Sequence, residues 1–149
     1  MIPVNNLEQT SIAFINDKSP ILDLICNDLV ASGINVLFRS ENIEDGLSQL
    51  SGLKTLPQIF IIDLDFHDRN VLTQLQELRT KYPNIKLIAH SDIDAEKTVK
   101  TFLEIGFESY LLIGSDADDF KEVIEVVVNG GRYFSTGIAE ITQEYFSNN

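Results

Sequence analysis

Basic residues are scarce in this chain. Its 149 residues contain 11 Lys and Arg against 23 Asp and Glu, which gives a formal net charge of −12 at pH 7. A surface of this sign repels the phosphates of nucleic acids, so we do not expect this chain to bind DNA by itself. The acidity suits a well-solvated surface. Acids collected at one edge of the fold would also suit a cation.

Cysteine and long apolar runs are nearly missing as well. The one cysteine, Cys26, excludes an intrachain disulfide, which favours a reducing cytoplasm. Its place on the apolar stripe of a predicted helix favours a small core residue over a reactive thiol. No apolar run approaches the roughly 20 residues of a membrane-spanning helix, and residues 1–6 lack the basic and apolar regions of a signal peptide. The sequence therefore predicts a cytoplasmic protein outside the membrane.

Strand-like and helix-like segments alternate along the chain. Apolar runs predict strands at residues 11–15, 35–38, 58–62, 86–90 and 109–113. Amphipathic segments predict helices at residues 20–32, 43–51, 71–81, 95–105 and 116–129. Gly33 and Gly106 are placed to end the first and fourth helices, and Asp116 is placed to begin the fifth. This alternation predicts an α/β domain with a doubly wound parallel sheet.

Acidic residues follow two of the predicted strands at the point where each strand ends. Asp63 comes directly after the apolar run 59–62, which is typical of a strand buried on both faces, and Asp17 follows the first strand. Ligands of open parallel sheets bind beyond the carboxyl ends of the strands. We therefore expect Asp17 and Asp63 to meet at one edge, where they could hold a metal ion or accept a phosphoryl group. The Ser91 hydroxyl follows the fourth strand, and Tyr110 lies in the fifth.

This ordered set of strand ends resembles the receiver domain of bacterial two-component response regulators. The resemblance covers about residues 10–130. It implies a flavodoxin-like sheet of five strands in the order 2-1-3-4-5, with five helices and a short C-terminal helix. It further implies a regulatory phosphoprotein rather than an enzyme, with self-phosphotransfer and autodephosphorylation at most. A histidine kinase or a phosphotransfer protein would be the phosphoryl donor, and phosphorylation would control protein association.

The resemblance also implies roles for individual residues. Asp63 corresponds to the phosphoryl acceptor, Asp17 to a direct Mg²⁺ ligand, and Asp65 to the residue whose backbone carbonyl completes the metal site. Ser91 corresponds to the hydroxyl that bonds the phosphoryl oxygens. Tyr110 corresponds to the aromatic side chain that swings inward as this hydroxyl moves. Mg²⁺ suits such a set because it prefers hard oxygen ligands.

Among the departures from the receiver pattern, two bear directly on the phosphorylation chemistry. Asn16 stands where receivers have the first of two adjacent acids; its carbonyl oxygen can hold a metal-bound water, but one negative charge is lost. Ile113 stands where receivers have a lysine that pairs with the phosphoryl group. Two hypotheses stay open: a receiver that is phosphorylated weakly or with an altered lifetime, and a pseudo-receiver that binds protein partners without phosphorylation.

Simpler roles are open for several of these side chains. Asp63 could cap the loop that follows it, Ser91 could cap the fourth helix, and Tyr110 could be an ordinary packed residue. We interpret His90 as a packed residue at a strand end. A small hydrolase with Asp63 as nucleophile and Asp65 as acid is a third functional alternative, although strand five lacks the lysine that this class needs.

The C-terminal residues differ from the rest of the chain. Residues 130–135 resemble the segment that follows the receiver in LuxR-type regulators, but the 14 residues after Ser135 are too few for a DNA-binding domain. Both a fragment of such a regulator and a natural single-domain protein fit this tail. Residues 136–146 predict a short amphipathic helix. We divide the chain into an N-terminal extension at 1–9, a receiver domain at 10–130 and a linker-like tail at 131–149. Association, for example as a homodimer, is expected through the fourth helix, fifth strand and fifth helix.

Overall fold

Strands and helices alternate along the structure, a computed structural model that describes residues 10–16, 20–63, 69–112 and 116–147. The strands are β1 (Ser11–Asn16), β2 (Asn35–Ser40), β3 (Ile59–Asp63), β4 (Lys86–Ser91), β5 (Ser109–Leu112) and β6 (Tyr133–Phe134). The helices are α1 (Pro20–Ala31), α2 (Ile43–Ser51), α3 (Arg69–Lys81), α4 (Glu96–Ile105), α5 (Ala117–Val128) and α6 (Ala139–Ser147). Each predicted segment up to residue 130 therefore coincides with an observed one, and no end differs by more than two residues.

The six strands form one parallel sheet in the order β2-β1-β3-β4-β5-β6. The first five strands have the predicted order 2-1-3-4-5, so the doubly wound α/β fold is confirmed. The predicted strand number is wrong by one, because Tyr133–Phe134 pairs with β5 as a sixth strand. Two residues are too few to show a strand periodicity in the sequence. They pair here because the chain after α5 lies along the open edge of β5.

Side chains of the central strands alternate between two hydrophobic cores, one on each face of the sheet. One core lies under α1 and α5 and includes Phe14, Ile61 and Phe120. The other lies under α2, α3 and α4 and includes Phe60 and Phe102. The central strands β1, β3 and β4 are buried on both faces, which explains why their sequences are apolar runs rather than alternating patterns. The same alternation decides which face each strand-end side chain points to.

Helix ends follow the predicted capping residues. Gly33 and Gly106 adopt the left-handed conformation, with φ of 94° and 101°, that glycine reaches without strain. Asp116 begins α5 in a capping box: its Oδ1 accepts from the Asp119 N–H at 2.9 Å, and the Asp119 carboxylate accepts from the Asp116 N–H at 3.0 Å. None of the described helices has both the length and the apolar surface that crossing a membrane would require.

The tail, residues 131–147, packs on the edge of β5 and on α4. The Ser109 hydroxyl donates to the Tyr133 carbonyl at 2.6 Å, and the Ser135 N–H donates to the Tyr110 carbonyl at 3.1 Å. Ile138 is fully buried in the core under α4. The predicted amphipathic helix is present as a 3-10 turn at Thr136–Ile138 followed by α6. Ile138 is buried and Ile141 and Tyr145 pack partly against the core, whereas Phe146 at the end of α6 is exposed.

Cys26 lies in α1 as a core residue, as the sequence predicts, with 8% of its surface exposed. Burial raises the pKa of its thiol and outweighs the opposite effect of the nearby Arg39 guanidinium. Because the thiolate is the reactive form, alkylation of the folded protein should have its pH midpoint above that of the urea-unfolded chain. Iodoacetamide labelling followed by mass spectrometry across pH measures both midpoints. Equal midpoints would contradict a buried thiol.

Candidate functional site

The carboxyl ends of β1 and β3 bring Asn16 and Asp63 side by side. The two residues are register partners in the parallel pair. Strand alternation directs both side chains to the face covered by α1 and α5. Asn16 is 1% exposed and the Asp63 side chain 19% exposed. The structure therefore places these two predicted residues together at the rim, whereas Asp17 and Asp65 lie outside the described residues.

His90 contacts the Asp63 carboxylate. Its Nδ1 lies 3.2 Å from Oδ2 of Asp63, and its ring packs edge-on against Phe120 with centroids 5.2 Å apart. Nε2 of His90 is buried and has no partner among the residues described. A carboxylate oxygen accepts hydrogen bonds, so in the tautomer with its hydrogen on Nδ1 His90 donates to Asp63. The prediction of a packed residue is confirmed, but the contact with Asp63 was not foreseen.

Ser91 and Tyr110 meet at the loop after β4. The Ser91 hydroxyl oxygen accepts from the Ile93 N–H at 3.1 Å, and the Tyr110 hydroxyl donates to the Ile93 carbonyl at 2.7 Å. Burial raises the pKa of Tyr110, and a hydrogen bond with Ser91 offsets part of this rise. The alternative of Ser91 as the cap of α4 is wrong, because that helix begins at Glu96 and its capping residue is Ala95.

Arg39 is a site residue that sequence reasoning missed. Its guanidinium lies 3.5 Å from the Asn16 amide oxygen and 2.5 Å from the Asp23 carboxylate. These three residues, with Ser40 and Glu41, line a pocket of about 360 Å³ beside the acidic rim. The one signal in the sequence is a basic residue near the end of a predicted strand, and this pattern does not reveal what the side chain contacts.

The described oxygen atoms suit a hard divalent cation. Asp63 offers a carboxylate, and its register partner Asn16 has an amide oxygen that faces Arg39. Mg²⁺ prefers oxygen ligands of these two kinds. Within the described ranges, no three His, Cys, Asp or Glu side chains lie close enough together to hold a metal ion. The predicted metal site therefore depends on Asp17 and Asp65 for its remaining ligands.

Curated proteins with similar sequences include transcriptional regulatory proteins and response regulators. The chain is 30% identical over 90 residues to the transcriptional regulatory protein DegU of Brevibacillus brevis, covering 60% of this chain and 38% of DegU. It is 26% identical over 140 residues to the nitrate/nitrite response regulator protein NarL of Escherichia coli, covering 93% of this chain and 63% of NarL. The chain thus spans less than two thirds of the length of either relative. No model of a known protein family matches it.

Solved structures with a similar fold include receiver domains. The isolated REC domain of RcsB from Salmonella enterica serovar Typhimurium superposes with a TM-score of 0.78 at 15% identity, over 91% of this chain and 99% of that domain. A LuxR-family two-component response regulator from an Aurantimonas species gives a TM-score of 0.75 at 19% identity, over 93% of this chain and 99% of that one. Identities this low show a shared fold. Together with the sequence relatives, they confirm the predicted resemblance to a receiver domain.

Proposed function

We propose, from the premise that this chain is a receiver domain of the response-regulator kind, that it accepts a phosphoryl group on Asp63 in the presence of Mg²⁺ and thereby controls protein association. The observation that carries the proposal is the placement of Asp63. It is an acid at the carboxyl end of a central strand, beside Asn16 and partly open to solvent. Ligands of open parallel sheets bind at this edge.

A carboxylate oxygen of Asp63 is the nucleophile in the proposed reaction. It attacks the phosphorus of the donor; the bond between phosphorus and the leaving atom breaks, and the electron pair of that bond stays with the donor. His90 holds Oδ2 through a hydrogen bond of 3.2 Å, so Oδ1 is the oxygen that can attack. A histidine kinase or a phosphotransfer protein is the donor in this proposal.

Mg²⁺ would be held directly by Asp17 and Asp63, by the backbone carbonyl of Asp65, and by Asn16 through a water. Bound there, the ion offsets the charge of the transferring phosphoryl group and aligns it for attack. Asn16 contributes no charge to this set, and Ile113 offers no ammonium to the phosphorylated product. Both departures favour a phosphorylation that is weaker or differs in lifetime from that of a receiver with the full set.

Ile93 connects the proposed site to the surface expected for association. A Ser91 hydroxyl that turns to a phosphoryl oxygen gives up its bond with the Ile93 N–H, and the carbonyl of the same residue holds the Tyr110 hydroxyl. The Tyr110 backbone in turn binds the tail through the Ser135 N–H. A change at Ser91 can therefore reach α4 and the tail through short polar contacts.

The tail lies on part of the surface predicted for a homodimer. β6 pairs with the edge of β5, and α6 packs on α4. Association through α4, β5 and α5 therefore requires that the tail move away or contribute to the interface. The homodimer stays a prediction under this proposal.

A pseudo-receiver that acts without phosphorylation is the second candidate. It is favoured by the partners that the two rim residues already have within the chain: His90 binds the Asp63 carboxylate, and Arg39 contacts the Asn16 amide. The Asp63 Oδ2 and the Asn16 amide oxygen therefore have partners within the chain and need no bound ion to satisfy them. Its output would come from protein binding alone.

Exposure to Mg²⁺ and acetyl phosphate, followed by intact mass measurement, tests the proposal. The wild-type chain should gain one phosphoryl group, and Asp63→Asn should gain none because a carboxamide is a poor nucleophile. Asp118→Asn removes the same charge from a side chain that is 90% exposed on α5, and it should still form the adduct. Chelation of Mg²⁺ should prevent adduct formation in the wild type and in Asp118→Asn.

Three outcomes would contradict the proposal. An adduct that survives in Asp63→Asn would place the phosphoryl group on another residue. A wild-type chain that forms no adduct with either acetyl or carbamoyl phosphate would favour the pseudo-receiver. Steady turnover of a phosphate ester would favour the hydrolase alternative, in which Asp63 is a nucleophile regenerated at each cycle.

A further inference from the structure

A register shift in β2 places Arg39 on the same face of the sheet as Asn16. Val36 and Phe38 pair with successive residues of β1, so Leu37 is the extra residue of a bulge. One extra residue reverses the face of every side chain that follows it in the strand. Phe38 consequently packs on the core under α2, α3 and α4, and Arg39 points towards α1.

The guanidinium of Arg39 determines the orientation of the Asn16 amide. An arginine side chain has hydrogen-bond donors alone, so the atom of Asn16 that faces it at 3.5 Å is the amide oxygen. The amide nitrogen of Asn16 takes the other direction. It is buried and has no hydrogen-bond partner among the residues that the structure describes. Among the described residues this donor is unpaired, and a buried donor without a partner is unfavourable.

This orientation is the wrong one for a metal site. A cation, or a water bound to it, needs the oxygen of Asn16, whereas the NH₂ group presents hydrogens and repels a cation. Arg39 and a metal ion therefore compete for the same oxygen atom. The guanidinium also carries a positive charge at the rim, and this charge opposes the approach of a divalent ion. Asp23 neutralises part of it, but the Asp23 side chain is 58% exposed and its effect is screened by water.

We infer that Arg39 is an internal counter-cation of the site, which holds Asn16 in the metal-free state and lowers the affinity for Mg²⁺. The inference rests on the proposed function, because it takes the metal site to be at Asp63. Binding of the ion requires that the guanidinium leave Asn16, and Asp23 offers it a partner when it does so. In the metal-free domain, the positive charge of Arg39 therefore offsets part of the negative charge at the rim.

Metal affinity of the intact chain tests this inference without any phosphoryl transfer. Mn²⁺ serves as a paramagnetic substitute for Mg²⁺, and electron paramagnetic resonance measures the free ion at constant ionic strength. Arg39→Gln should bind Mn²⁺ about tenfold more tightly, since it removes a positive charge a few ångströms from the ion. Lys54→Gln makes the same change in net charge before β3, at the opposite end of the sheet. Over that distance it should change the affinity less than about twofold.

The Asn16 side-chain amide supplies a second readout by ¹⁵N NMR. Its resonances in the wild-type chain should shift when Mg²⁺ is added, because the amide loses Arg39 and turns. In Arg39→Gln the metal-free resonances should already differ from those of the wild type. Thermal melting shows whether Arg39→Gln is folded. If it is not, both measurements are repeated with Arg39→Met, which preserves the apolar stem of the side chain.

The outcomes separate this inference from the proposed function. Equal Mn²⁺ affinities in the wild type and Arg39→Gln, or no binding by either, would overturn the inference. Tighter binding by Arg39→Gln in a chain that forms no phosphoryl adduct would support the inference and overturn the proposed function. An adduct on Asp63 together with an unchanged Mn²⁺ affinity in Arg39→Gln would support the proposed function and overturn the inference.

Discussion

Replacement of Ile138 by alanine should lower the free energy of unfolding by about 3 kcal/mol, the sum of lost apolar burial and the cavity that remains. Ile138 lies in the segment that the sequence assigns to a linker-like tail, yet its side chain is 0% exposed. It belongs to the same core as Phe102 and Tyr110. Urea unfolding followed by circular dichroism measures the change, which should appear as a lower midpoint with an unchanged slope.

Phe146→Ala in the same tail is the matched control. Phe146 is 37% exposed. Its ring centroid lies 5.9 Å from that of Phe134 and 4.4 Å from the Arg132 guanidinium carbon. Its removal should cost about 1 kcal/mol, since less apolar surface is lost and water can fill the space. If both variants cost equally little, the tail would not be part of the core, and a boundary near residue 130 would describe the folded unit.

Replacement of Arg79 by alanine should destabilise the domain by about 3 kcal/mol. The change removes the counter-charge of a poorly solvated carboxylate, which retains the Leu87 N–H at 3.4 Å, and it removes the donor to three carbonyls. The guanidinium donates to the carbonyls of Pro83 and Ile85 at 3.0 Å and of Gly106 at 3.1 Å. It also donates to both carboxylate oxygens of Glu108, at 3.0 and 3.2 Å. The Arg79 and Glu108 side chains are 19% and 16% exposed. Thermal unfolding should show a Tm lowered by roughly 6–12 °C.

Two further variants identify the cause of that loss. Lys81→Ala removes a cation from the same helix, where Lys81 is 60% exposed and lies 3.7 Å from Glu77, and it should cost less than about 0.5 kcal/mol. Arg79→Ala in a Glu108→Gln background should cost less than it does in the wild type, because the partner left behind is neutral. Equal costs in the two backgrounds would show that the carboxylate is not the reason for the loss.

The positions of the elements could be predicted because their signals are local. The apolar run 59–62 indicates a strand buried on both faces, Gly106 ends a helix, and Asp116 begins one. Asp63 and Ser91 could be predicted as rim residues for the same reason, since each ends a recognisable strand. The short strand β6 could not, because it depends on the edge of β5 rather than on its own residues.

The partners of the rim residues could not be predicted, since they depend on which residues lie opposite one another across the sheet. The sequence predicts that His90 is a packed residue in β4, and the structure agrees. Its contact with Asp63, however, follows from the register of β3 and β4. Arg39 reads as a polar residue near the end of a strand. Its contact with Asn16 requires the bulge at Leu37, which no local pattern announces.

The sequence by itself determined the α/β alternation, the order of the first five strands through its resemblance to a receiver, and the presence of Asp63 at a strand end. These features follow from hydrophobic periodicity and from capping residues, which act over a few neighbouring positions. Only the tertiary structure decided that His90 and Arg39 lie against the rim and that the tail completes the core at Ile138. Contacts between distant residues depend on strand register and on packing across the whole sheet. A register shift of one residue turns every side chain of the strand to the opposite face and so replaces these contacts.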